Sequence, residues 1–256
     1  MKSFVLLLVA GGVVGCGGTT TSNGPGDGAI NGTVDLAMGG GLPDLAAAGG
    51  GDMAVAPPVT LTGKVYSGGG NNNPPVMGAT VTLVGTSTKA TTAADGSYSL
   101  MVPGGAIVYL NVAAATFQTT EVGQVVPQGG GAAEDIQVVP TANVQMVVGM
   151  LNPPLTLDPA KGVVVVNFKT SDTNGGYGVT LSASHGNSFD PNGSTYTNTT
   201  LGGHMGGSLV FPNVVAGGTT TLTLAAPQGK TCSLTQAIKD WRVDANVFLF
   251  VSAACQ

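Results

Sequence analysis

Thr92-Ala93-Ala94-Asp95-Gly96-Ser97-Tyr98-Ser99-Leu100 is the stretch that decides the fold. Asp95-Gly96 marks a tight turn, because such turns need a backbone at positive φ, which glycine adopts without a steric penalty. Beyond the turn, polar Ser97 and Ser99 alternate with apolar Tyr98 and Leu100. That two-residue period belongs to a strand with one buried face and one wet face. Gly78-Ala79-Thr80-Val81-Thr82-Leu83-Val84 alternates in the same way. Val81 and Leu83 are therefore expected to meet Tyr98 and Leu100 across a core.

Working outward, the pattern is strand, turn, strand. Val59 to Tyr66 alternates, and Gly68 to Pro75 is a Gly/Asn/Pro loop. Further strands are expected at Ile107 to Val112, Gln118 to Val126, Ile136 to Val139 and Val144 to Val148. No helix is expected here. Short strands at this spacing predict an all-β fold, a small antiparallel sandwich of Greek-key type.

Gly63-Lys64-Val65, Gly78 to Leu83, Thr92 to Leu100 and Val102-Pro103-Gly104 together resemble the carboxypeptidase regulatory-like domain. The resemblance covers residues 59 to 127 and implies a transthyretin-like (prealbumin-like) β-sandwich. That fold is an accessory domain, and the enzyme's zinc domain has no counterpart here, so the resemblance implies no peptidase activity.

Residues 158–256 replay the plan. Gly162 to Lys169 opens with a strand, and Gly178-Val179-Thr180-Leu181 parallels Gly78 to Leu83. Gly207 to Gly217 parallels Gly96 to Gly104, although no Asp-Gly precedes its aromatic residue. The expected architecture is two sandwiches in tandem, at 59–150 and 158–256. Ser233-Leu234-Thr235-Gln236 has capping-box spacing, so a short helix running on to Trp241 is weighed against an extended loop. Asn246 to Ala253 closes the plan as a buried strand.

Composition sets limits. Charged residues are 8% of the chain, and Gly numbers 42 of 256. The formal charge is −5. Residues 59–256 hold seven Lys/Arg against nine Asp/Glu, with no basic patch. Nucleic acid is excluded as a partner on that ground. From Gly17 to Pro58 the chain is rich in Gly, Ala, Asp and Pro, and has no aromatic residue. Asp35-Leu36-Ala37, Asp44-Leu45-Ala46 and Asp52-Met53-Ala54 form a loose repeat within it. This is either a triplicate binding motif or a low-complexity tether. As a flexible coil it would span roughly 35 Å.

The first residues read as an address. Lys2 supplies a positive charge, Phe4 to Val14 an apolar stretch, and Val13-Val14-Gly15 small residues before Cys16. A spanning helix needs roughly 20 apolar residues, and this stretch is shorter. The run resembles the lipobox of bacterial lipoproteins. The resemblance implies a signal peptide over residues 1–15, acyl chains on Cys16 as the membrane contact, and a lipid-anchored place in the cell envelope. Gly17, standing where Asp would favour inner-membrane retention, points to the outer membrane. An ordinary cysteine after a conventional signal is the alternative. Cys232 and Cys255 remain, an even pair in an oxidising compartment, and are expected to form a disulfide.

No zinc-protease helix, nucleophile elbow or phosphate-loop lysine occurs. The expectation is a protein that is not an enzyme and uses no cofactor and no metal. Asp172-Thr173-Asn174-Gly175 and Asp190-Pro191-Asn192-Gly193 could be calcium turns, but each offers one carboxylate, whereas calcium takes 6–8 oxygens. His185 and His204 are isolated. Two functions remain. One is a structural or interaction module whose sheet edges and loops meet a protein partner. The other is polysaccharide binding, since starch-binding-like domains have a similar sandwich. Tyr177, Phe189 and Tyr196 would then contact the ligand, or else pack in the core.

Overall fold

The computed structural model describes residues 57–68, 73–169, 176–191, 196 and 207–256. Cys16, the leader and the tether lie outside the described residues. The first half contains β1 (Pro58–Ser67), β2 (Thr80–Leu83), β3 (Lys89–Thr91), β4 (Ser97–Pro103), β5 (Ile107–Ala113), β6 (Thr120–Val125), β7 (Gly131–Ala132) and β8 (Ile136–Val138). Helix α1 (Thr141–Met150) follows. The second half contains β9 (Gly162–Lys169), β10 (Gly178–Leu181), β11 (Ser208–Val214), β12 (Gly218–Thr220), β13 (Leu222–Ala225), β14 (Cys232–Leu234), β15 (Trp241–Val243) and β16 (Phe248–Cys255).

The deciding stretch behaves as expected. Gly96 has φ +76°, and a Cβ there would run into the Val65 carbonyl oxygen. β4 pairs antiparallel with β1, setting Leu61 beside Leu100 and Gly63 beside Tyr98. Tyr98 and Leu100 share a core with Val81, Leu83, Leu110 and Ile136. Burying each Val or Leu contributes about 1.5–3 kcal/mol relative to exposure. Gly63 is required by packing: a Cβ would sit 2.7 Å from the Tyr98 hydroxyl.

The second half repeats the pairing scheme of the first. β9 pairs antiparallel with β11 as β1 does with β4. β10 pairs with β13 as β2 does with β5. β16 runs parallel to β9 as β8 runs parallel to β1.

One connection has no precedent in the repeat. β16 also pairs in parallel with β6, matching Leu249 to Glu121. A single sheet of order β11-β9-β16-β6-β5-β2-β3 therefore crosses the sequence boundary between the halves. Its two faces serve different cores. Leu110, Val112 and Val122 face the first core, closed by β1, β4 and β8. Val164, Val166, Leu209, Phe211 and Leu249 face the second, closed by Tyr177, Val179, Trp241 and Val243. The alternate residues Val163, Val165, Val210 and Phe248 join Val144 of α1 and Phe189 in a third cluster. This explains the unbroken Val163–Val166 run: β9 is buried on both faces, so it needs no polar alternation.

One expectation fails, and one pair of alternatives is decided in favour of the extended form. Thr141–Met150 is a helix, not a strand, and begins with bonds from the Asn143 and Val144 amides to the Pro140 carbonyl. Pro140, lacking an N–H, suits a helix entrance, and the helix lies over the end of β9 and β16, which no strand covers. The region after Cys232 forms no helix either. Cys232–Leu234 pairs with Ala253–Cys255 as β14, and the Thr235 amide continues the line by donating to the Ser252 carbonyl at 2.9 Å, so the chain stays extended where a helix would have to start.

Candidate functional site

Of the residues singled out by sequence, Cys232 and Cys255 meet. They are register partners across β14 and β16, with Cα atoms 4.2 Å apart, and form a disulfide. Closing a loop of this size contributes about 3 kcal/mol by the chain-entropy estimate.

The aromatic trio does not assemble on the surface. Tyr177 is 1% exposed in the second core and Phe189 3% exposed in the third cluster. Neither offers a ring face to a ligand. Tyr196 is half-buried against the same cluster, its hydroxyl donating to the Pro153 carbonyl at 2.8 Å. Among the described residues every Tyr, Phe and Trp is buried or half-buried. Tyr177 and Phe189 are too deeply buried to stack on a sugar ring, whereas Tyr196 keeps part of its surface open.

Residues 172–175, 192, 193 and His204 lie outside the described residues. Asp190 is 3% exposed within the fold. His185 packs edge-on against Phe211, with Nδ1 2.6 Å from the Gly186 carbonyl. No group of three or more His, Cys, Asp or Glu side chains that could hold a metal occurs among the described residues.

Two concavities lie elsewhere. One, about 340 Å³, runs under α1 between Val144, Val148, Leu155, Leu157 and Phe248. The Lys161–Asp158 ion pair at 3.8 Å belongs to its wall. The other is a wider groove of about 890 Å³ over Thr62, Lys64, Thr91, Ser97 and Asp135. Tyr98 reaches it from below, its buried hydroxyl without a hydrogen-bond partner. Burial, then the Asp135 charge, raises that phenol above its ordinary range.

The residue that sequence reasoning missed is Glu121. It lies in β6 at the joint with β16 and is 0% exposed. Asn111 stands beside it on β5, and Tyr109 beside Gly123. β15 and the turns around it cover that face. The Tyr109 hydroxyl donates to the Asp240 carbonyl at 3.0 Å and accepts from the Arg242 amide at 3.1 Å. Arg242 Nε donates to Asp244 at 2.8 Å. Ile238 and Trp241 close over Gly123, where a Cβ would lie 2.6 Å and 3.0 Å from them.

Neither Glu121 oxygen has a hydrogen-bond partner. Asp244 and Asn111 are near enough to act on its charge, without hydrogen-bond geometry. Burial and then the Asp244 carboxylate push its pKa up to about 7, Arg242 opposing them. A carboxyl in that position holds its proton in mildly acidic solution. The sequence signal was faint: Thr120-Glu121-Val122 reads as a strand with an outward-facing acid.

No family model matches the chain, and no curated protein matches it. Solved structures with some likeness include a family 26 carbohydrate-binding module from Eubacterium rectale in complex with maltoheptaose. It is 11% identical, covering 77% of this chain and 93% of that one, with a TM-score of 0.26. A minor pilin of Streptococcus agalactiae is 12% identical over 77% of this chain and 95% of its own, at a TM-score of 0.21. The type II cohesin–X-dockerin complex of Acetivibrio cellulolyticus is 18% identical over 31% of this chain, at a TM-score of 0.27. The chain spans 56% of the length of that last structure's chain. At TM-scores this low the likenesses add nothing to the fold read from the strands themselves.

Proposed function

We propose that this is a non-enzymatic cell-envelope lipoprotein: acyl chains on Cys16 hold it to the outer membrane, and its β-sandwiches are an interaction module for a protein partner. The observation that carries the reading is the Cys232–Cys255 disulfide. Disulfides persist in oxidising compartments and are rare in the cytosol. An exported chain is what Val13-Val14-Gly15-Cys16 behind Lys2 would produce. Two or more acyl chains are needed for a stable anchor, since each buried CH₂ contributes about 0.8 kcal/mol. The tether then supplies reach.

The first half is read as a carboxypeptidase regulatory-like module. Its Gly96 turn and the packing of Val81 and Leu83 against Tyr98 and Leu100 support that reading. Polysaccharide binding, the competing function, loses Tyr177 and Phe189 to the cores and would rest on the half-buried Tyr196.

The test is Cys16→Ala. The variant accumulates as unprocessed precursor and takes up no radiolabelled fatty acid. Normal processing with normal partition into detergent would refute the anchor. Protease treatment of intact cells then separates a surface position from a periplasmic one, and a glycan array tests the sugar alternative.

A further inference from the structure

β4 is the outermost strand of its sheet, paired only with β1 among the described residues. In an antiparallel pair, alternate residues turn their backbone groups toward the partner and away from it. The phase here is fixed at both ends. The Val65 amide donates to the Gly96 carbonyl at 2.9 Å, and the Gly104 amide donates to the Pro57 carbonyl at 3.2 Å. In that phase Tyr98, Leu100 and Val102 bond to β1. Ser97, Ser99, Met101 and Pro103 turn their backbone groups outward.

The two outer positions are already closed. The Ser97 amide donates to Asp95 Oδ1 at 3.1 Å, and its carbonyl accepts from the Ala93 amide at 2.9 Å. Pro103 has no N–H to give. Ser99 and Met101 are left with an outward N–H and C=O each. Both are exposed, Met101 by 49%.

We propose that this edge pairs with the same edge of a second copy of the chain, antiparallel, about a two-fold axis through Leu100. The pattern of free groups is symmetric about Leu100, with a closed position beyond each open one. In this register Ser99 of one copy faces Met101 of the other, and each such pair exchanges two hydrogen bonds. Sliding one strand by two residues either way, which moves the axis to Ser99 or to Met101, pairs Ser99 with itself and Met101 with Ser97, whose groups are used, or Met101 with itself and Ser99 with Pro103, which cannot donate. Charge favours a second copy as well. β4, Ser-Tyr-Ser-Leu-Met-Val-Pro, has no charged residue, so two copies meet without like-charge repulsion. Monomeric proteins commonly guard such an edge with Lys, a bulge or a central Pro. Here only the ends are guarded.

The test uses the full chain in two forms, Ser99→Cys and Met101→Cys. Facing residues in such a pair have Cα atoms about 5.5 Å apart, within disulfide range. Mild oxidation of the mixture is expected to yield a covalent heterodimer, and either form alone a much smaller yield. The parent chain, oxidised in parallel, gives the background from its own cysteines. No heterodimer above that background overturns the proposal. So does equal cross-linking of each form with itself, which would mean another register. A measurement without substitutions stands beside it: amide exchange at Ser99 and Met101 in the parent chain should slow as protein concentration rises. Protection independent of concentration, as when the chain's own tether covers β4, overturns it too.

Discussion

Glu121→Gln isolates the cost of an ionised carboxylate at the joint between β6 and β16. The substitution keeps shape and polarity and removes the charge. In the folded protein the acid titrates near 7 against a reference of 4.5, because burial and Asp244 penalise the anion. Below pH 4.5 the carboxyl is protonated in both states, and its contribution to stability is fully present. As pH rises toward 7 the unfolded chain ionises while the folded chain does not, and that stability drains away. A shift of this size corresponds to about 3 kcal/mol, lost between pH 4.5 and about 7 and level above that. Urea unfolding at pH 5 and pH 8 is the assay. The difference in unfolding free energy between Glu121→Gln and the parent should rise by up to about 3 kcal/mol in the variant's favour between pH 5 and pH 8. Equal pH dependence in parent and variant would refute the burial argument.

Other outcomes follow from packing and covalent structure. Reducing the disulfide, or replacing both Cys232 and Cys255 with Ala, should lower the unfolding free energy by about 3 kcal/mol in denaturant titrations. Gly123→Val should destabilise by about 1–3 kcal/mol, because Ile238 and Trp241 must yield to the new side chain. Trp241 is the chain's single tryptophan and is 1% exposed, so its emission should be blue-shifted in the parent and move red in that variant. Gly63→Ala should be similarly destabilising through the Tyr98 ring, with no change in Trp241 emission.

What the sequence discloses is local. The period-two alternation of Tyr98 and Leu100 and the Asp95-Gly96 turn depend on neighbours along the chain, so they could be read directly. The disulfide followed from parity and compartment. Val144 to Val148 misled because β-branched residues favour strands, whereas the helix there is fixed by Pro140 and by what it covers. Glu121 was illegible for a different reason. Its burial is imposed by Trp241 and Arg242 on β15, far away in sequence. Tyr177 and Phe189 lie beside a long polar loop in sequence, yet the shared sheet draws both inward.

β16 comes after both of its parallel neighbours in the chain, and among the described residues it alone joins β9 to β6. Synthesis therefore delivers the centre of the largest sheet last. Until Phe248–Cys255 has emerged, β6 and β9 each present an open edge, and neither can complete its ladder. Long-range parallel pairing of this kind folds slowly. A chain interrupted before Asn246 would be left with two unpaired edges and an uncovered apolar face, the features that drive strand-to-strand aggregation.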